Sequence, residues 1–236
     1  MRFMSLVSAA AIAAVLAVPA SATVTVYNSR SAFDALGPFT AVDWGVYGPA
    51  GTTISTPDFR TVGPITVGVA SSQGALSRHD EGTDFSGDFS PGDHLLTDAG
   101  SESDSFIISF ASPVRGFGTQ VEADYITGPW TGSIDLFDAS DTLIASIITG
   151  GTKSSAEDNS APFYGVVSSV ADISFAFFTV DQTDPNLPAK SGAVAINTTD
   201  VLGAVPESSS LSIAGAALLG LAGLLVLRRR AALPMR

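Results

Sequence analysis

Hydrophobic residues are distributed unevenly along the chain, because an apolar run near each end encloses a middle in which they alternate with polar residues. The runs Leu6–Val18 and Leu211–Leu227 carry no charge, whereas Thr23–Tyr27 alternates strictly between polar and apolar side chains. Continuous apolar runs are typical of membrane-inserting helices, and a period of two is typical of strands. The pattern therefore predicts three parts: residues 1–22, 23–204 and 205–236.

The first 22 residues have the three-part pattern of a secretory signal peptide. Arg2 precedes the apolar run, and Pro19 separates that run from Ala20-Ser21-Ala22. Small residues at Ala20 and Ala22 suit signal peptidase, so we predict cleavage before Thr23. An uncleaved anchor is the alternative, but the run is shorter than the ~20 residues of a membrane span.

The C-terminal part has the features of a short transmembrane helix. Residues 211–227 form an uncharged run of 17 residues, about 25 Å as a helix against a hydrocarbon core of about 30 Å. Arg228, Arg229 and Arg230 follow at once and predict a transfer stop with a cytoplasmic tail. The middle part is then expected on the outer, non-cytoplasmic side of the membrane.

Together with this helix and the arginine cluster, Val205-Pro206-Glu207-Ser208 resembles the PEP-CTERM sorting signal of Gram-negative, biofilm-forming bacteria. The resemblance covers residues 205–236, with Ser208 where that family commonly has a second proline. It implies recognition by exosortase, a transpeptidase-like membrane enzyme that cuts near the motif, and hence transient anchoring in the inner membrane. An ordinary permanent C-terminal anchor is the alternative.

The middle part reads as an all-β domain, a jelly-roll-like two-sheet antiparallel β-sandwich. Ser29 is predicted to cap a short helix, Arg30–Leu36, and long helical patterns are absent, which argues against a parallel α/β fold. The strand candidates are Thr23–Tyr27, Ala41–Trp44, Ile65–Ala70, Ser105–Phe110, Gly116–Ala123, Gly132–Phe137, Leu143–Ile148, Phe163–Val167, Ile173–Val180 and Ala193–Thr198.

Turn residues divide these segments. Ala111-Ser112-Pro113 and Gly150-Gly151 are expected to end strands, and Asp138–Asp141 is expected to form a hairpin turn. Residues 71–104 have the least strand-like pattern and are predicted to form a long loop. The order of elements also resembles the ectodomains often found on PEP-CTERM proteins, which supports the fold and implies no activity.

Charge and cysteine content narrow the classes of function. Residues 23–206 contain 22 acidic and six basic side chains, a formal charge of −16, which repels nucleic acid and anionic lipid. The chain has no cysteine, so disulfides and thiolate chemistry are excluded.

The long loop is the candidate cation site, because it combines eight carboxylates with His79 and His94. Carboxylate oxygens are the ligands that Ca²⁺ prefers, and Asp84, Asp88 and Asp93 are the candidate ligands. The spacing matches no EF-hand loop, so a solvated acidic loop is the competing interpretation. A transition-metal site would require the two histidines to converge, and two separate surface histidines are the simpler expectation.

Carbohydrate chemistry is the second candidate. Trp44, Tyr47, Tyr125 and Trp130 could stack on sugars if exposed, although the alternation around Trp44 favours the core. Glycoside hydrolysis needs two carboxylates at a defined separation, for which the candidates are Glu102, Glu122, Asp124 and Asp135. No G-x-S-x-G motif is present, and Asn197-Thr198-Thr199 matches an N-glycosylation sequon.

The sequence therefore predicts an exported, non-enzymatic cell-surface or extracellular-matrix protein, with no catalytic residues and no cofactor other than calcium. Its expected partners are signal peptidase, exosortase, the inner membrane during sorting, and exopolysaccharide. The alternative is a carbohydrate-binding or carbohydrate-cleaving module that acts on exopolysaccharide.

Overall fold

The computed structural model describes residues 22–71, 74–98, 106–124, 128–183 and 191–203. Their regular elements are one α-helix, α1 (Arg30–Asp34), a 3₁₀ turn at Trp44–Tyr47, and a series of β-strands. The strands are β1 (Val24–Tyr27), β2 (Thr40–Val42), β3 (Thr52–Ser55), β4 (Asp58–Val62), β5 (Ile65–Ser71), β6 (Ala75–Asp80), β7 (His94–Asp98), β8 (Phe106–Val114), β9 (Gly116–Asp124), β10 (Gly128–Phe137), β11 (Leu143–Lys153), β12 (Phe163–Ser168), β13 (Ile173–Gln182), β14 (Ser191–Ile196) and β15 (Thr199–Leu202).

The strands build two antiparallel layers, as in a β-sandwich. One layer runs β4-β5-β8-β13-β10-β11, and we call it the outer layer. In the other, the inner layer, β9 pairs with β12 on one side and with both β15 and β14 on the opposite side. Strand β1 extends it beyond β12, β2 extends it beyond β15, and β7, β6 and β3 extend it beyond β14. A short β13–β14 ladder joins the two layers.

The main core lies between the layers. Phe117 on β9 meets Phe178 on β13 and Phe110 on β8, with ring centroids 6.2 and 6.0 Å apart. Trp44 and Trp130 are also buried, and together with apolar residues from both layers they form one continuous cluster. The all-β, two-sheet antiparallel prediction is confirmed, and burial of this kind stabilises the domain without disulfides.

Helix α1 is held against the inner layer by a close approach to glycine. Phe33 is fully buried, and Gly165 and Gly118 are paired residues of β12 and β9 beneath it. A Cβ atom at Gly165 would lie 2.5 Å from the Phe33 ring. Glycine at these two positions therefore fixes the distance between α1 and the sheet.

The structure confirms most predicted strands and corrects several boundaries. Asp138 accepts hydrogen bonds from the N–H groups of Ser140 and Thr142 at the β10–β11 turn, as expected of a hairpin. Strand β8 continues through Ala111-Ser112-Pro113, and β11 continues through Gly150-Gly151, so neither segment ends a strand.

The short helix and the strand after it also differ from prediction. Helix α1 ends at Asp34 rather than at Leu36, and the Ser29 hydroxyl bonds with Ser31 instead of capping the helix. Strand β2 ends at Val42, because Trp44 begins the 3₁₀ turn and Asp43 caps that turn through the N–H of Gly45.

The prediction of one long loop at 71–104 is wrong, because β6 and β7 lie within it. In β6 the inward positions are Leu76 and Arg78, and the buried arginine interrupts the apolar alternation. In β7 the residues from Leu95 to Asp98 are all buried, so no alternation marks the strand. The loop between these two strands comprises residues 81–93.

The predicted sorting motif, the apolar helix 211–227 and the arginine cluster lie outside the described residues, as does Ala20. Ala22 and Thr23 are exposed, and the backbone N–H of Thr23 donates to the Ser169 hydroxyl where β1 begins. Within the described ranges, no helix is long and apolar enough to cross a membrane.

Candidate functional site

The acidic loop 81–93 is packed onto the inner layer rather than solvated. Phe85 and Phe89 point inward and meet Leu95, Ala161 and Ala195 in a second, smaller core cluster. Two of the acidic side chains of the loop, Glu81 and Asp88, are also buried.

Buried carboxylates hold the backbone of this loop in place. Glu81 accepts from the N–H of Gly87 at 2.7 Å, and Glu122 on β9 accepts from the N–H of Asp88 at 2.9 Å. The Asp88 carboxylate in turn accepts from the N–H groups of Ser154 and Ala156, after β11. The loop is thus tied to β9 and to the segment that follows β11.

Burial gives these groups unusual acidities. It raises the pKa of Glu122 to about 7 and that of Glu81 to about 6, and nearby carboxylates add to both effects. Burial acts in the same direction on Asp88, but the hydrogen bonds from Ser154 and Ala156 outweigh it and lower the pKa of Asp88. The cluster therefore combines one carboxyl group with a lowered pKa, Asp88, and two with raised pKa values, Glu81 and Glu122.

The residues considered for glycoside hydrolysis lie in different surroundings. Glu122 is 1% exposed beneath the loop, whereas Asp124 lies 3.3 Å from Lys153 Nζ. Asp135 accepts from the Ser146 hydroxyl in the outer layer. Glu102 lies outside the described residues. The buried Glu122 is not open to a polysaccharide substrate.

The three predicted calcium ligands each contact different partners. Asp84 bonds with His79 Nδ1 at 2.9 Å, and Asp93 accepts from Asn197 Nδ2 at 2.9 Å. The Asp88 carboxylate accepts a hydrogen bond from the Ser154 N–H. No group of three His, Asp or Glu side chains in the described part of the chain is arranged to hold a metal ion. The structure does not bring these ligands together.

The two histidines also do not converge on a single metal site. His79 bonds with Asp84, whereas His94 Nδ1 bonds with Asp43 at 2.6 Å and joins β7 to the 3₁₀ turn. Both side chains are partly exposed. His94 Nε2 also lies 3.7 Å from Asp80 Oδ1, so the two histidines contact different aspartates.

The aromatic residues proposed to stack on sugars are buried. Trp44, Tyr47 and Trp130 belong to the main core, so the hypothesis that they stack on sugars is wrong. The prediction that Trp44 is a core residue is confirmed. Tyr125 lies outside the described residues.

A different surface has the form of a binding site. An open cleft of about 330 Å³ lies where α1 meets the segment before β12. Its walls come from three separate parts of the chain, and its lining includes Asn28, Arg30, Gln120, Asn159, Ser160 and Phe163. Asn28, Asn159 and Ser160 are exposed and form the rim.

Helix α1 brings Arg30 to this cleft. Because Phe33 rests on the two glycines, the guanidinium lies over the Phe163 ring, 4.9 Å from its centroid. Arg30 also forms an ion pair with Asp200 and donates to Asn197 Oδ1 at 3.4 Å. Its position and charge are thus fixed within the wall of the cleft.

Gln120 and Asn197 form a buried amide pair below the rim. Asn197 Nδ2 donates to Gln120 Oε1 at 2.5 Å, and Asn197 Oδ1 accepts from the Gln120 N–H at 3.0 Å. Gln120 Nε2 then donates to Asn159 Oδ1 and to the Ala161 carbonyl, both at 2.9 Å. The rim amide of Asn159 is therefore oriented by a chain of hydrogen bonds from the core.

The chemistry of this cleft suits a ligand rich in hydroxyl groups. Carboxamides both donate and accept hydrogen bonds, as hydroxyls do, and the guanidinium adds donors. An oriented rim binds such a ligand with little loss of side-chain entropy.

The sequence pointed to few of these residues. Asn197 matched a glycosylation sequon, but its side chain is 5% exposed and fully engaged with its neighbours. Gln120 lies in a strand without any motif. The positive φ of 64° at Asn159 is compatible with asparagine, but one sequence gives no sign of it.

Comparisons with known proteins do not assign the chain to a family. No family model matches, and no curated protein matches. Among solved structures, a family 6 carbohydrate-binding module is similar at 10% identity and a TM-score of 0.30, covering 66% of this chain and 96% of its own.

Two further structures are similar at comparable levels. The enzymatically active domain of bacteriophage CBA120 tailspike protein 4 has 14% identity and a TM-score of 0.23, over 77% of this chain and 19% of its own. The K2 cleaved adhesin domain of Lys-gingipain has 9% identity and a TM-score of 0.23, over 76% and 99%. Similarities at such low TM-scores carry no conclusion about function.

Proposed function

We propose that this chain is an exported, non-enzymatic surface or matrix protein whose β domain binds carbohydrate in the cleft between α1 and β12. The observation that carries the proposal is the rim amide of Asn159, which Gln120 and Asn197 orient from the core. A buried hydrogen-bond network of this kind holds a surface side chain in one orientation, whereas a side chain that is merely solvated needs no such support.

The electrostatics of the domain favour an uncharged glycan. Residues 23–206 carry a formal charge of −16, and the one arginine of the cleft already has an ion pair with Asp200. A strongly anionic polysaccharide would meet repulsion without a free cation in the cleft. We therefore propose a neutral exopolysaccharide, rather than an acidic one, as the ligand.

The ends of the sequence supply the cellular part of the proposal. The signal peptide 1–22 directs export, and residues 205–236 direct sorting by exosortase with transient anchoring in the inner membrane. Residues 23–204 form the displayed domain, which has a jelly-roll-like fold. These assignments rest on the sequence pattern and on its resemblance to PEP-CTERM signals.

A glycan array tests the binding function directly. The full exported chain is purified in a detergent without a sugar head group, since such a head group would compete for the cleft. We expect binding to neutral glycans, and loss of that signal in the Asn159→Ala variant. Thr131→Ala removes an exposed hydroxyl from the outer layer and is the matched control. Absence of binding to every glycan, or equal binding by both variants, contradicts the proposal.

A further inference from the structure

The outer layer has a second face, which points away from the main core and which we call the outward face. Side chains along a strand alternate between the two faces of a sheet, and Ile108, Phe110, Leu136 and Ala176 belong to the main core. Their neighbours in sequence therefore point outward. One row of outward residues crosses all the strands of this layer, from β4 to β11, and comprises Phe59, Gly68, Ser109, Phe175, Phe137 and Leu143.

The outward face is apolar. Phe59 and Leu143, at the two ends of this row, are 58% and 53% exposed. The rings of Phe137 and Phe175 are half-buried and stacked, with centroids 4.8 Å apart. The next row adds two more half-buried apolar side chains, Ile107 and Phe177. The solvent-facing side of an antiparallel sheet commonly carries polar residues, so an apolar patch in this position marks an interaction surface.

The outward face also carries little charge. In the two rows just described, the only ionisable side chain is Asp135, and it accepts a hydrogen bond from the Ser146 hydroxyl. Residues 23–206 carry a formal charge of −16, so two copies of the domain repel each other over most of their surface. The outward face is the surface on which this repulsion is weakest, which favours a second copy as its occupant.

The size of the outward face matches what a dimer needs. Strands about 4.8 Å apart give the row from β4 to β11 a width of about 24 Å. A third row ends at Ile148, which is 75% exposed, and three rows with their side chains cover about 20 Å along the strands. Contact between two such faces buries about 1,000 Å² in total, which reaches the threshold for a specific interface.

The two halves of the outward face differ in shape. On β13 and β10 the row carries the stacked rings of Phe175 and Phe137. On β5 and β8 it carries Gly68 and Ser109, and the Phe59 ring lies across the glycine, because a Cβ atom at Gly68 would be 2.5 Å from that ring. The face therefore has a stacked half and a flatter half, on opposite sides of the line between β8 and β13.

We propose that two copies of this chain associate through their outward faces, about a two-fold axis that runs parallel to the strands between β8 and β13. This rotation lays the stacked half of each copy on the flatter half of the other, as a self-complementary interface requires. It also sets Phe59 of one copy against Leu143 of the other. The two Asp135 carboxylates stay about 14 Å or more apart, beyond the screening length of about 8 Å at physiological ionic strength.

A charge pair across the interface tests this arrangement. Leu143→Glu and Phe59→Lys each place one charge on the outward face, and each alone should weaken the dimer. The two substitutions combined in one chain should restore it, because position 59 of one copy then meets position 143 of the other. Within a single copy these positions lie about 24 Å apart, too far to pair.

The full chain is measured by analytical ultracentrifugation in a density-matched detergent without a sugar head group. Each single variant should raise the Kd of the dimer about tenfold or more, because a charge is buried without a partner. The double variant should return to within about threefold of the wild-type Kd. Val26→Glu is the matched control, since Val26 is 42% exposed on β1 in the inner layer, and it should leave the Kd unchanged. Thermal melting of every variant shows that the monomer remains folded.

Three outcomes overturn the proposal. The first is a wild-type chain that stays monomeric at about 100 μM, a concentration at which a specific dimer forms. The second is a dimer that neither single variant weakens, which would place the contact elsewhere, for instance in the apolar run 211–227. The third is a double variant that binds no more tightly than the single variants, which would contradict the two-fold arrangement. None of them bears on glycan binding, because the cleft between α1 and β12 lies in the inner layer.

Discussion

Replacing Glu122 by Gln should make the protein more stable at alkaline pH and not at acidic pH. Burial beneath the loop 81–93 raises the pKa of this carboxyl from 4.5 to about 7. The folded state then binds the proton more tightly than the unfolded state. The resulting stabilisation is complete below pH 4.5 and is lost as the pH rises through 7.

The magnitude follows from the two pKa values. Each pH unit between them is worth about 1.4 kcal/mol, so ionisation of Glu122 costs the folded state about 3 kcal/mol at pH 8. Gln keeps the acceptor for the Asp88 N–H and cannot ionise. Its nitrogen enters a buried position where Glu122 Oε1 has no partner among the described residues, a cost that is the same at both pH values.

The assay is urea unfolding at pH 5 and pH 8, followed by the fluorescence of the buried Trp44 and Trp130. Because pH 5 already lies above the ordinary pKa of 4.5, the effect of Glu122→Gln on the free energy of unfolding should be about 2–3 kcal/mol more favourable at pH 8 than at pH 5. The control Asp141→Asn removes one carboxylate from the exposed β10–β11 turn. An identical effect of Glu122→Gln at both pH values would refute the reasoning.

Three further predictions concern packing and metal. Gly165→Ala places a Cβ 2.5 Å from the Phe33 ring. It should lower the free energy of unfolding by about 1–3 kcal/mol and, because α1 shifts together with Arg30, weaken glycan binding. A destabilised variant that binds glycan as tightly as the wild type would contradict this. Phe89→Ala should cost about 3–5 kcal/mol and speed amide exchange in residues 81–93; unchanged exchange would show that Phe89 does not hold the loop. The melting temperature should be the same in EDTA and in millimolar calcium, because Asp84, Asp88 and Asp93 do not converge; a rise with calcium would restore the calcium hypothesis.

The alternation of apolar residues was sufficient to predict the antiparallel sandwich, because most strands bury one face. It failed in β6, where Arg78 occupies an inward position, and in β7, which is buried on both faces. The count of acidic residues in the loop likewise suggested a solvated or cation-bound segment. The two phenylalanines within it were the better guide, since Phe85 and Phe89 hold it to the sheet.

The cleft was beyond reach of the sequence because its residues are far apart in the chain. Arg30, Gln120, Asn159 and Asn197 come together only when α1 sits on Gly165 and when β9 pairs with β12 and β14. No local pattern marks a buried amide pair, and the sequon at Asn197 gave no sign of this role.

Carbohydrate binding in the cleft is tested most directly by titrating the full chain with the best neutral glycan from the array. Replacing Asn159 by Ala removes an oriented hydrogen-bonding group, and should raise the Kd about tenfold or more. Thr131→Ala should leave the Kd unchanged. Equal affinities for the wild-type protein and the Asn159→Ala variant would place the glycan elsewhere on the domain and contradict the proposed site.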